Sequence, residues 1–132
     1  MVKIAFICVE NACRSQMAEG FAKELGRGQV EAFSAGSKPA KKVNPLAVAV
    51  MKEKGIDISS HIPKGLLDIF DVDDEFDCLI NMGCEDTCPA IPSKRILQWD
   101  IPDPKMGSIY DFRKVRDIIE EQVKALLQKV EG

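Results

Sequence analysis

The feature of this sequence that most constrains the fold is a turn between an apolar run and an amphipathic segment near the amino terminus. Residues 3–9 are apolar and rich in β-branched side chains, which predicts a buried strand. In residues 15–25 the apolar side chains recur at helical spacing, which predicts a helix. The turn runs from Cys8 to Arg14 as C-x5-R, so a strand passes through a loop of this pattern directly into a helix.

Strand and helix patterns continue to alternate along the rest of the chain. Three further apolar runs predict strands, at residues 30–34, 76–82 and 95–99. Three further segments predict helices: one after Asn44 that ends at Gly55, and two at residues 63–70 and 110–130. This alternation predicts a mostly parallel sheet covered by helices on both faces, with ligands beyond the carboxyl ends of the strands. No repeat or linker divides the sequence, so we expect one domain over residues 1–132.

Composition and charge exclude several classes of protein. With a net charge of −3, the chain lacks the excess of Lys and Arg that would attract nucleic acid or anionic lipid. No apolar run approaches the roughly 20 residues that span a bilayer, and the amino terminus is unlike a signal peptide. We therefore expect a cytoplasmic protein with no membrane or nucleic-acid partner. The 5 cysteines, an odd number, point to reactive thiols more than to a disulfide framework.

The chemistry of the turn suits a tetrahedral oxyanion. Backbone N–H groups turned inward by the loop, together with the positive end of the helix dipole, form an anion cradle. Arg14 adds a planar fork that can hold two oxygens, and the same field favours the thiolate of Cys8 as a nucleophile. Ser15 can donate a hydrogen bond to the Cys8 sulfur, and Asn11 can brace the loop. The predicted oxyanion-binding residues are Cys8, Val9, Glu10, Asn11, Ala12, Cys13, Arg14 and Ser15.

A plainer interpretation of the same turn is a buried cysteine at a strand end and a solvated arginine in the first turn of a helix. C-x5-R occurs by chance often enough that the pattern alone does not decide. The strand before it, the helix after it, and the Asn and Ser at its interior positions favour the anion loop.

The stretch from Cys8 to Gly20, C-V-E-N-A-C-R-S-Q-M-A-E-G, resembles the low-molecular-weight protein tyrosine phosphatases and the arsenate reductases built on their fold. Within it, R-S-Q-M-A-E is particularly similar to the reductase branch. S-A-G at residues 34–36, the segment around His61 and the Asp103-Pro104 pair match as well, so the resemblance touches nearly the whole chain. It implies a three-layer α/β fold: a four-stranded parallel sheet of flavodoxin-like order 2-1-3-4, with helices on both faces.

The resemblance also implies roles for individual residues. Cys8 is then the nucleophile, and Arg14 binds the oxyanion. Asp103 is the general acid that protonates the leaving oxygen. Pro104 biases Asp103 toward an extended or turn conformation, but Asp100 lies only three residues away, and only the resemblance chooses between the two aspartates.

Two cysteines late in the chain separate two interpretations of the site. Cys84 and Cys88 follow a predicted core strand and are expected near the same edge of the sheet as Cys8. By resemblance to the thioredoxin-coupled arsenate reductases, Cys84 attacks Cys8 once arsenic is bound to it. Cys88 then moves the disulfide to the surface, where thioredoxin or a similar dithiol donor reduces it. The alternative is a tyrosine phosphatase that uses Cys8, Arg14 and Asp103 and ignores the later thiols.

The spacing of these two cysteines departs from the family pattern. Only three residues separate Cys84 from Cys88, fewer than in better-known reductases. A disulfide between them is still allowed, but the movement that carries it outward must differ in extent. The role of Cys84 is therefore better supported than that of Cys88.

The remaining candidate residues are assigned simpler roles. Cys78 alternates with apolar residues inside a strand, so we expect a buried thiol and no metal site or cofactor. Cys13 could form a protective disulfide with Cys8, and His61 is expected to be a satisfied loop histidine. Lys105 stands where phosphatases of this type often carry an aromatic residue, which favours a small inorganic substrate. We expect arsenate, with phosphate and sulfate as competing oxyanions, and a monomer.

Overall fold

The computed structural model describes residues 1–69, 75–83 and 92–131 and shows one parallel sheet with helices packed against it. The strands are β1 (Val2–Cys8), β2 (Val30–Gly36), β3 (Cys78–Asn81) and β4 (Ile96–Gln98). The helices are α1 (Arg14–Leu25), α2 (Pro45–Lys52), α3 (Leu66–Ile69) and α4 (Ile109–Glu131).

The sheet order is β2-β1-β3-β4, which confirms the order expected from the resemblance. All three pairings are parallel, so the carboxyl ends of the strands lie at one edge. At that edge Cys8 pairs with Gly36 of β2, and Ile7 of β1 pairs with Asn81 of β3. The turn after β1 therefore lies between the ends of two neighbouring strands, where ligands bind in such sheets.

Both faces of β1 are buried, which explains why its sequence is a nearly continuous apolar run. Ile4 and Phe6 point into the larger core, which also contains the apolar stripes of α1, α2 and α4. Ala5 and Ile7 point into a smaller cluster on the opposite face, against which Leu66 and Ile69 of α3 pack. The predicted covering of both sheet faces by helices is thus confirmed.

Most element boundaries lie within two residues of their predicted positions. The Asn44 side chain accepts a hydrogen bond of 2.9 Å from the Leu46 N–H, which confirms the predicted cap of α2. Helix α3 begins at Leu66, three residues after the predicted start at residue 63, because Gly65 bridges to Gly36 at the edge of the sheet. Asp68 then accepts from the Gly65 N–H at 2.7 Å and holds the first turn. In the described parts of the chain, no helix is both long and apolar enough to cross a bilayer.

Candidate active site

A cavity of about 200 Å³ opens at the carboxyl end of β1, bounded by the loop that joins β1 to α1. The structure brings Asp103 into this cavity with the loop, although the two are far apart in sequence. Asn11 and Ser15 are fully buried behind the loop and do not line the cavity. The predicted oxyanion-binding residues that do line it are Cys8, Val9, Glu10, Ala12, Cys13 and Arg14.

Three carbonyl groups of the loop accept hydrogen bonds of 2.8 to 2.9 Å from the segment that follows β2. They are the carbonyls of Val9, Glu10 and Ala12. The loop leads into α1, whose start has no side-chain cap. The N–H groups at a helix start favour the binding of an anion.

The Cys8 sulfur lies within hydrogen-bond distance of a buried hydroxyl. Cys8 is 3% exposed, and its Sγ lies 2.8 Å from the Oγ of Ser15. Asn11 donates its Nδ2 proton to the same Oγ at 2.7 Å. An amide nitrogen can only donate, so the Ser15 hydroxyl accepts from Asn11 and keeps its own proton, which it can donate to the Cys8 sulfur.

Asn11 fixes the shape of the loop from behind. Its φ is 53°, a left-handed conformation that Asn tolerates better than most residues. Its Oδ1 accepts from the Lys64 N–H at 2.8 Å and from the Gln16 Nε2 at 3.0 Å. One side chain therefore ties together Ser15, Gln16 and the segment before α3.

We expect Asn11→Ala to lower the free energy of unfolding by about 2 kcal/mol. The substitution leaves the Lys64 N–H without its acceptor and puts alanine at a positive φ. Urea denaturation of the variant and the wild type would measure the loss. Asn44→Ala is the matched control, since it removes one capping bond and should cost about 1 kcal/mol. An Asn11→Ala cost no larger than that of the control would contradict the bracing role.

His61 extends this network and is a satisfied loop histidine, as predicted. Its Nδ1 lies 2.9 Å from the Oε1 of Gln16, and because the Gln16 amide donates to Asn11, the ring nitrogen must donate. Burial lowers the pKa of His61. The bonds from His61 through Gln16 and Asn11 to Ser15 all donate in the same direction, toward the hydroxyl beside Cys8. Hydrogen bonds aligned in this way polarise one another.

A buried carboxylate beneath the loop was not anticipated from the sequence. Glu19 is 3% exposed and accepts a bond of 2.5 Å from the Ser34 hydroxyl. The ammonium of Lys23 lies 2.6 Å from it, and the Nδ1 of His61 and the Nζ of Lys64 lie at 3.7 and 3.8 Å. A buried charge needs such partners. The cluster joins α1, β2 and the segment before α3 directly under the anion loop.

Arg14 connects the anion loop to the loop that carries Asp103. Its Nη1 donates to the Ile101 carbonyl at 3.1 Å, and its Nη2 lies 3.6 Å from the Oδ2 of Asp103. Asp103 lines the cavity, and its carboxyl is about half exposed. Gly83, at φ 128°, lies against the guanidinium, so that an added Cβ would clash with the Arg14 Nη1. A side chain at position 83 would displace the Arg14 guanidinium from this position.

The second cysteine of the loop, Cys13, is poorly suited to be the nucleophile. Burial raises the pKa of Cys13 to about 12, with further contributions from the nearby charges of Asp103, Cys8 and Glu10. At neutral pH Cys13 is therefore a thiol, and thiols are poor nucleophiles. Cys8, Cys13 and Cys78 form no disulfide in the structure. Cys78 is buried, as predicted, and burial raises its pKa.

Cys84 and Cys88 lie outside the described residues. Gly83, the residue before Cys84, is described and lies against Arg14. Among the described residues, no group of three or more His, Cys, Asp or Glu side chains could hold a metal ion.

Comparison with known proteins gives a consistent set of relatives. The family profile of low molecular weight phosphotyrosine protein phosphatases matches residues 3–132. A glutaredoxin arsenate reductase of Synechocystis sp. is 39% identical, over 98% of this chain and 99% of the relative. The structure of an arsenate reductase in a phosphate-binding state superposes with a TM-score of 0.89, at 39% identity over 98% of this chain and 99% of that one. A thioredoxin-dependent arsenate reductase of Corynebacterium glutamicum has a TM-score of 0.83, at 34% identity over 99% of this chain and 62% of that one.

Proposed function

The chain belongs to the low molecular weight phosphotyrosine protein phosphatase family, and from this premise we propose that it is a thiol-dependent arsenate reductase with Cys8 as its nucleophile. The observation that carries the proposal is that Cys8, Arg14 and Asp103 share one small cavity. The arsenate reductases among its relatives support the choice of arsenate over a phosphate ester.

The first step needs the groups that the cavity contains. The Cys8 thiolate attacks the arsenic of arsenate, which the Arg14 fork and the loop N–H groups hold. A sulfur–arsenic bond forms and an arsenic–oxygen bond breaks. Asp103 gives its proton to the departing oxygen, which leaves as water.

The second step is the reduction itself, and it needs another thiol. The Cys84 thiolate attacks the Cys8 sulfur, and the sulfur–arsenic bond breaks with its electron pair remaining on arsenic. Arsenic passes from the pentavalent to the trivalent state and leaves as arsenite, and a Cys8–Cys84 disulfide remains. Cys88 then attacks Cys84 and releases Cys8, and a dithiol protein reduces the Cys84–Cys88 disulfide. In the sequence Cys84 directly follows Gly83, which lies against Arg14, and this supports an approach to Cys8.

The electron donor in this proposal is thioredoxin or a similar dithiol protein. One relative is described as a glutaredoxin arsenate reductase and another as thioredoxin-dependent. Phosphate and sulfate are competing oxyanions, because they share the shape and charge of arsenate. We place the reaction in the cytoplasm, where dithiol proteins keep such cysteines reduced.

The second candidate function is phosphatase activity toward aryl phosphates. The family profile favours it, and its first step would use Cys8, Arg14 and Asp103 in the same way. The second step would differ, since water would release phosphate from Cys8 and the later thiols would have no part.

The two functions are separated by assaying one preparation of the wild type for both reactions. We expect arsenate-dependent consumption of NADPH with a thioredoxin or glutaredoxin system, and only slow hydrolysis of aryl phosphate. Cys84→Ser should lower arsenate reduction at least about tenfold, because a blocked thiol relay leaves the sulfur–arsenic adduct unresolved. Comparing Cys88→Ser with each donor tests the last thiol. Efficient hydrolysis of aryl phosphate without arsenate reduction would make the phosphatase the correct function, and undiminished reduction by Cys84→Ser would disprove the relay.

A further inference from the structure

An ion pair crosses the cavity from the anion loop to the loop that carries Asp103. The ammonium of Lys105 contacts the Oε1 of Glu10, and both residues line the cavity. Their side chains are 49% and 35% exposed. The hydrogen bond to Glu10 raises the pKa of Lys105, so Lys105 is an ammonium at neutral pH.

Lys105 is also bonded to the carboxyl of Asp103 through its backbone. The Lys105 N–H donates to the Oδ1 of Asp103 at 3.0 Å. This bond orients the carboxyl within its own loop, as in other turns led by aspartate. The pair with Glu10 then holds that loop against the anion loop. Together the two contacts hold the Asp103 carboxyl at the cavity that Cys8 also lines.

Two other polar contacts between these loops, among the described residues, are made by Arg14. It donates to the Ile101 carbonyl and lies near the Asp103 carboxylate. In turnover, however, Arg14 must hold the oxyanion. An Asp103 that is protonated for acid catalysis also has no charge to attract the guanidinium. The pair between Glu10 and Lys105 involves neither reacting group, so it persists when the links through Arg14 weaken.

We propose that Glu10 and Lys105 are positioning residues that hold Asp103 in place during proton transfer. The proposal rests on the proposed function in one respect, the role of Asp103 as the acid. Small displacements of a catalytic group can lower a rate strongly, so a pair that adds little to stability can still matter for turnover.

The first test uses arsenate reduction by the full-length protein. Glu10→Gln and Lys105→Met should each lower kcat about five- to tenfold. The KM for arsenate and the inhibition by phosphate should stay within about twofold. The double reversal Glu10→Lys with Lys105→Glu should recover most of the loss, because it restores the attraction. Glu24→Gln is the matched control, since it breaks an exposed pair with Arg27 that is remote from the cavity, and its kcat should be unchanged.

The second test needs no arsenate and depends on the leaving group. Phenol has a pKa of about 10, as the tyrosine side chain does, so phenolate is a poor leaving group. Its departure therefore depends on protonation by Asp103 more than the departure of p-nitrophenolate does. Hydrolysis of phenyl phosphate by Glu10→Gln should therefore fall at least about threefold more than hydrolysis of p-nitrophenyl phosphate. Hydrogen exchange at the Lys105 amide should also be faster in the variant than in the wild type.

The outcomes separate this proposal from the proposed function. Equal losses on the two aryl phosphates, or a double reversal no better than the single variants, would overturn the positioning role. A wild type that hydrolyses aryl phosphate but does not reduce arsenate would overturn the proposed function alone, and the leaving-group comparison would still decide the role of the pair. A wild type inactive on every substrate would overturn both, because there would be no proton transfer to position.

Discussion

Replacing Cys8 with serine should lower arsenate turnover at least about 10⁴-fold, as expected when a covalent nucleophile is removed. A serine hydroxyl in the same position stays protonated near neutral pH and cannot form the disulfide through which electrons reach arsenic. The variant should still bind oxyanions, because Arg14 and the loop N–H groups are unchanged. Isothermal titration should therefore give a phosphate affinity within about threefold of the wild-type value, while arsenite production is abolished.

The matched control for this variant is Cys78→Ala. Cys78 is also a buried thiol, 4% exposed, but it lies at the start of β3, away from the carboxyl edge of the sheet. Its replacement should change arsenate turnover less than about twofold at temperatures where the variant is folded. Turnover by Cys8→Ser above about 1% of the wild-type rate would show that another residue attacks arsenic.

Replacing Gly36 with alanine should lower both stability and activity, by about 3 kcal/mol and at least about 100-fold. Gly36 ends β2 beside Cys8, and an added Cβ would overlap the carbonyl oxygen of Val9. It would also lie 2.9 Å from the Asn11 nitrogen. Both neighbours are backbone atoms of the anion loop and cannot rotate away, so the loop itself must move. Urea denaturation, arsenate turnover and phosphate titration together would measure the change.

Gly65→Ala provides the control, because Gly65 is the bridge partner of Gly36 on the neighbouring segment. A Cβ there would come no closer than 3.4 Å to any atom, which is ordinary contact. The variant should keep its activity and change in stability by less than about 1 kcal/mol. Equal effects of the two substitutions would mean that crowding of the anion loop is not the cause.

The local parts of the fold could be predicted from the sequence, and the departures have physical causes. The pattern of residues 3–9 and the spacing in residues 15–25 each depend on side chains close together in sequence, and β1 and α1 agree with them closely. The helix predicted over residues 63–70 begins later, because Gly65 forms a bridge with Gly36 at the edge of the sheet. No local pattern contains that information. The order of the strands followed from the resemblance alone.

The candidate site also has parts that could be predicted from the sequence and parts that could not. Cys8 and Arg14 were identified because the C-x5-R pattern is contiguous. Asp103 was preferred to Asp100 only through the family resemblance, and the structure places its carboxylate 3.6 Å from Arg14. The pair between Glu10 and Lys105 spans 95 positions, and no spacing rule relates two such residues. Glu19 is an acidic residue on a helix, which in a sequence indicates a solvated face. Its pairing with Lys23 four residues later follows from helical spacing, but only the fold reveals that Ser34 also meets it.

Two groups that hydrogen-bond to the anion loop lie far along the chain, so the site cannot be complete until they have been synthesised. The eight residues of the loop leave the ribosome well before Lys64, which donates to Asn11, and Ile101, which accepts from Arg14. A nascent chain that ends before them has the cysteine without the cradle. In such a chain Cys8 is present without these braces, and the site can be assembled only after Ile101 has been synthesised.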